Sequence, residues 1–106
     1  MAIAQDEVAA LTCDLVAIDS TNPDLVPGGA GEAAIARFVA GWLENAGLTV
    51  EVHELGPDRA NVVAVARGRG GGRSLMLNAH VDVVGAGGMA EPWSPRVEHD
   101  RLYGRG

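Results

Sequence analysis

His80 and Asp82 are the residues of this chain best placed to do chemistry together. They stand near the end of the run LMLNAHVDVV, residues 75–84, and in an extended chain residues i and i+2 point to the same face, so their side chains can meet. An imidazole that binds a metal normally passes its other ring N–H to a carboxylate or a carbonyl. That contact fixes the tautomer and makes the coordinating nitrogen a better donor. His-x-Asp supplies such a pair within one short segment, although the three letters alone fit a polar strand end with a satisfied histidine better than a metal site. The other histidines carry less. His53 falls on the wet face of an alternating strand, and His99 falls beside Asp100 in a turn. Cys13 cannot form an internal disulfide, being the single cysteine, and its place on an apolar helical face reads as a buried, inert thiol.

The elements that must carry this pair can be read from periodicity. Val8, Leu11, Leu15 and Ile18 recur at helical spacing and predict a first helix from about Asp6 to about Ala17, with Asp6 favourable near its positive end. The segment DSTNPDLVPGG, with two prolines and several turn formers, reads as an irregular connection. Ile35, Phe38, Val39, Trp42, Leu43 and Ala46 then mark one face of a second helix from about Gly31 to Ala46, with Gly47 supplying the left-handed residue that commonly ends a helix. LTVEVHEL alternates as a strand with one wet face. ANVVAVAR and SLMLNA are more continuously apolar, as expected of strands covered on both faces by helices. The connections GPDR and GRGGGR are short enough for antiparallel neighbours. Two helices followed by a mixed β-sheet give an α/β fold.

Composition narrows the function classes. A formal charge of −6, with eight arginines and no lysine, lacks the basic face that nucleic acid or an anionic membrane requires, so neither is expected as a partner. The start, MAIAQDEVAALTCDLVAIDS, has no basic n-region and is acidic where a signal peptide is apolar, and no run is long enough to cross a bilayer, which predicts a cytoplasmic protein. GAGEAA, Gly29 to Ala34, fits the dinucleotide fingerprint as a string. That fingerprint needs a strand feeding straight into the glycine turn, and Pro23 and Pro27 occupy the approach. The glycine run from Gly68 to Gly72 lacks the Gly-Lys-Ser/Thr ending of a phosphate loop and reads as a flexible hairpin tip.

LMLNAHVDVV, followed about a dozen residues later by WSPRVEHDRLYGRG, resembles the metallopeptidase family that holds acetylornithine deacetylase, succinyl-diaminopimelate desuccinylase, aminoacylase and glutamate carboxypeptidase. Trp93, Pro95, Leu102, Tyr103, Gly104, Arg105 and Gly106 match in order, and IDSTNP and NVVAVARG also look like family segments, so the resemblance spans essentially the whole chain. It implies that residues 1–106 are the N-terminal portion of a zinc-peptidase-like catalytic domain. His80 would ligate one of two zinc ions, with cobalt as an alternative metal, and Asp82 would be the catalytic-site carboxylate that orients it. The resemblance further implies a homodimeric parent that hydrolyses N-acyl amino acids or small peptides. The family's bridging aspartate, Glu-Glu pair and second domain have no counterpart in this sequence, so the chain alone is expected to be inactive. A non-catalytic α/β module that keeps the fold without the metals is the alternative. Where the family often has Asp-Gly at the hairpin turn, His99 and Asp100 stand here. Trp93 and Tyr103 are expected to pack the loop under the site.

Overall fold

The structure is a computed structural model that describes residues 4–106. The first helix, α1, spans Gln5–Val16, and the second, α2, spans Ala33–Asn45. At the start of α1, the Glu7 carboxylate accepts the Ala4 backbone N–H at 3.2 Å, which satisfies an end group that Ala4 has no side chain to help. The helix is only shallowly seated. Val8 is exposed, Leu11, Cys13 and Leu15 are half-buried, and Val16 alone is buried. Cys13 is thus more accessible than its apolar neighbours suggest. Val16 packs on the backbone of Gly104, where an added Cβ would stand 2.7 Å from Val16 Cγ1.

The second helix ends as its sequence requires. Gly47 takes φ +89°; its N–H donates to Glu44 O at 2.9 Å, and the Leu48 N–H donates to Leu43 O at 3.1 Å. This pair of bonds satisfies the last carbonyls in a Schellman motif, which a left-handed residue makes possible. Ile35, Ala36 and Ala40 are buried where α2 lies on the hairpin formed by β1 (Thr49–Gly56) and β2 (Arg59–Val65). These strands pair antiparallel with Thr49 opposite Val65 and Val52 opposite Val62, and an irregularity between Glu54 and Gly56 leads into the turn. A second antiparallel hairpin pairs β3 (Arg96–Glu98) with β4 (Arg101–Tyr103), turning at His99 with φ +57°.

The α/β class is as expected, but the sheet is arranged differently. Instead of one mixed sheet there are two separate two-stranded antiparallel sheets, and the isolated bridge between Thr21 and Val83 is parallel. SLMLNA forms no strand. Residues 74–79 are unpaired, and Leu75, Met76 and Leu77 are 84%, 85% and 88% exposed. The reading of β2 as covered on both faces also fails, because α2 covers one face while Val63 and Val65 stay largely exposed on the other. Both departures have one physical cause. A continuous apolar run reports that a segment suits burial on two faces, but burial needs a neighbour, and no described segment lies alongside to supply one. The radius of gyration, 15.6 Å, accordingly exceeds the roughly 13 Å of a compact domain of this length. Among the described residues the buried hydrophobic ones are few: Val16, Ile35, Ala36, Ala40 and Ala60.

The start of α2 is occupied by protein. Ala33 N–H donates to Asp58 O at 3.1 Å, and the buried Glu32 carboxylate meets Arg59. Among the described residues no strand feeds the glycine turn before α2. Among the described residues no helix is long and apolar enough to cross a membrane.

Candidate functional site

The segment Asp19 to Asp24 and the segment Val81 to Val83 are laced together, and this lacing creates the site. Ser20 is buried, and its hydroxyl donates to Val81 O at 2.7 Å. Val83 N–H donates to Ser20 O at 3.1 Å, and Asn22 N–H donates to Val83 O at 2.9 Å. The buried Thr21 is anchored in turn, its hydroxyl donating to Asp19 Oδ1 at 2.7 Å. These bonds give residues 81–83 the backbone partners that residues 74–79 lack, so the chain is fixed where His80 and Asp82 need fixing.

The structure brings His80 and Asp82 together. Nδ1 of His80 lies 3.2 Å from Asp82 Oδ1 and 2.9 Å from the backbone carbonyl oxygen of Asp82. The partner of the ring is therefore both acceptors of Asp82, the carbonyl being the nearer, rather than the carboxylate alone. With the Nδ1–H committed to Asp82, the Nε2 lone pair is left for another partner. The His80 side chain is 86% exposed, whereas that of Asp82 is 31% exposed. A hydrogen bond from Asn22 and the nearby His80 ring hold the Asp82 carboxyl below the ordinary aspartate range, against the opposing effect of partial burial.

Asn22 was not singled out by sequence reasoning. Its Nδ2 donates to Asp82 Oδ2 at 2.8 Å, while its Oδ1 accepts Asp24 N–H at 2.8 Å. Asn22 lies in a segment that reads as an irregular connection, and within IDSTNP, which looks like a family segment. Neither reading assigns the residue a role, and its local chemistry is that of an Asx residue able to bond the backbone two positions on. Its contact with Asp82, 60 residues away, has no sequence signature.

Beside the pair lies a shallow cavity of about 260 Å³ lined by His80, Asp82, Val83, Val84, Arg105 and Gly106. The Arg105 guanidinium sits 5.6 Å from the centre of the Trp93 ring, so Trp93 supports a residue of the cavity wall, in line with its expected packing role. Tyr103 does not. It stacks under Arg96 at 4.5 Å and lines a separate hollow with Met89 and Leu102. His53 lies exposed with Nε2 3.1 Å from Glu51 Oε2, and His99 occupies the hairpin turn, both apart from the cavity.

Among the described residues no group of three or more His, Cys, Asp or Glu is gathered closely enough to hold a metal ion. Zinc is usually held by about four ligands. The pair fits one ligand and its orienting partner but does not make up a metal centre, and no reaction step through a metal follows from these residues alone.

The chain is similar to proteins named succinyl-diaminopimelate desuccinylase. One, from Anaplasma marginale, is 31% identical over 104 residues, covering 95% of this chain and 26% of its own length. Another, from Leptothrix cholodnii, is 35% identical over 102 residues, covering 88% of this chain and 24% of its own length. The chain thus spans about a quarter of the length of the curated relatives it matches. No family profile matches it, and no solved structure matches it.

Proposed function

We propose that this chain is part of a metal-dependent amidohydrolase of the metallopeptidase family named above, and that it contributes one ligand to a dinuclear zinc or cobalt centre. His80 Nε2 is that ligand and Asp82 sets its orientation. The observation that carries the reading is the His80–Asp82 contact at the cavity edge, with Nδ1 engaged and Nε2 free. The similarity to desuccinylases over nearly the whole chain supports the reaction class, hydrolysis of an amide bond in an N-acyl amino acid or small peptide. In such reactions a bound metal polarises the scissile carbonyl and lowers the pKa of water. The part played by this chain is to hold an imidazole in one tautomer and one direction. The remaining ligands, the general base and a homodimer interface belong to the longer protein in this reading, and its site of action is the cytoplasm.

The test is made on a longer protein containing this sequence. Turnover of N-succinyl and N-acetyl amino acids should be lost on treatment with a chelator and restored by zinc. Full turnover after metal removal verified by elemental analysis contradicts the reading. Metal binding without any acyl turnover favours a non-catalytic module.

A further inference from the structure

Asn22 is held more completely than any other residue near the cavity. Its backbone N–H donates to Val83 O at 2.9 Å, and its carbonyl accepts Leu25 N–H at 3.1 Å and Val26 N–H at 3.0 Å. Its side-chain oxygen accepts Asp24 N–H at 2.8 Å. An amide whose oxygen is used in this way has only its nitrogen left to present, so the direction of the Asn22 amide is decided by its own loop. That nitrogen meets Asp82 Oδ2 at 2.8 Å, and with Oδ2 taken, Oδ1 faces His80 Nδ1 at 3.2 Å. Asp24 is tied down as well, its carboxylate accepting Arg59 Nη1–H at 2.9 Å.

We infer that Asn22 is a positioning residue that acts through the Asp82 carboxylate to reinforce one tautomer of His80, with the proton on Nδ1 and Nε2 as the outward lone pair. An unconstrained neutral imidazole favours the opposite tautomer, with the proton on Nε2. Two acceptors of Asp82 hold the proton on Nδ1, the backbone carbonyl at 2.9 Å and carboxylate Oδ1 at 3.2 Å. The main chain fixes the first, and Asn22, by engaging Oδ2, keeps the second turned toward the ring. The inference rests on the proposed role of His80, but its central claim concerns a proton position that exists without metal or substrate.

The experiment uses the chain with 15N-labelled histidine, with Leu75→Ser, Met76→Ser and Leu77→Ser in every sample to keep it monomeric, and reads the ring nitrogens by long-range proton–nitrogen NMR above the histidine titration range. His53 and His99 serve as internal comparisons. With Asn22 and Asp82 unaltered, His80 should be mainly the Nδ1–H form, unlike His99. Asn22→Asp keeps the shape and the bond from Asp24 but removes the donor and sets one carboxylate against another, so the Nδ1–H fraction of His80 should fall. Exchanging the two side chains, Asn22→Asp with Asp82→Asn, restores a donor–acceptor pair, because the amide nitrogen now at position 82 donates to the carboxylate at position 22. The Nδ1–H form should recover. If circular dichroism shows that Asn22→Asp loses helix, Asn22→Ser, which retains a hydroxyl acceptor for Asp24, takes its place with the same expected fall in the Nδ1–H fraction.

An Nε2–H majority at His80 with Asn22 and Asp82 unaltered overturns the inference, as does an unchanged ratio in a folded Asn22 variant. Loss of metal dependence in the longer protein would instead overturn the proposed function and leave the tautomer result standing.

Discussion

Arg59 Nε lies 2.8 Å from both carboxylate oxygens of Glu32, joining the second strand to the approach of α2. Glu32 is 6% exposed, and a carboxylate so placed is tolerated only with a partner. The guanidinium also reaches Asp24 Oδ2 through Nη1 at 2.9 Å, so one side chain ties the hairpin, the helix start and the loop that carries Asn22. The two carboxylates hold the Arg59 pKa above its usual value, Glu32 being the stronger influence.

Arg59→Ala should therefore lower the thermal midpoint, because it strands the buried Glu32 charge. Arg59→Lys should recover only part of the loss, since an ammonium offers no planar fork to serve both partners. Thermal melts followed by circular dichroism check both, and equal melting of the lysine variant and the parent would contradict the bidentate role.

Asp82 should titrate below the ordinary aspartate value. Its folded-state pKa is depressed, so its contribution to stability is present above the ordinary value and is lost as the pH falls through the folded one. Carboxyl carbon NMR of Asp82 should show the low midpoint, and Asn22→Ala should raise it by removing the hydrogen bond that chiefly stabilises the carboxylate.

If the proposed function holds, His80→Ala in a longer protein containing this sequence should abolish acyl turnover. Asp82→Asn should keep the fold and reduce metal affinity or turnover about 10- to 100-fold, the usual effect of losing a ligand's hydrogen-bond partner. His53→Ala and His99→Ala should leave turnover near normal, since both rings lie apart from the cavity. Steady-state kinetics with metal analysis of each variant decides the matter, and loss of bound zinc in a folded His53 or His99 variant would move the site.

The chain by itself should be catalytically silent and should associate. Leu75, Met76 and Leu77 stand almost wholly in water on an unpaired segment, and burying such side chains is worth about 1.5–3 kcal/mol each. Light scattering should show assemblies larger than a monomer. Replacing the three with Ser or Thr should shift the population toward monomer while leaving the helical signal intact, because they do not belong to the buried core.

Local features were the legible ones. The period of α2, the glycine that ends it, the β1–β2 hairpin and the turn at His99 depend on residues close in sequence, and each follows from propensity or turn chemistry. The His80–Asp82 contact was legible too, because an i, i+2 pair needs only an extended backbone. What could not be read was partnership. SLMLNA has the composition of a buried strand, yet composition does not name the segment that must lie beside it. Asn22 reached Asp82 through a fold-level contact, and the resemblance of IDSTNP to a family segment did not name the residue it would touch.

The Ser20–Val81 bond joins residues 61 apart in sequence, whereas the β1–β2 hairpin closes through a few turn residues. Loop-closure entropy grows with the length of chain enclosed, and hairpins form on the microsecond scale. On that entropic ground the hairpin with α2 docked on it should form early and the lacing around His80 late. Thermal opening should then loosen the candidate site while the hairpin still stands, a difference that hydrogen exchange at Val83 N–H and at the β1–β2 amides would read.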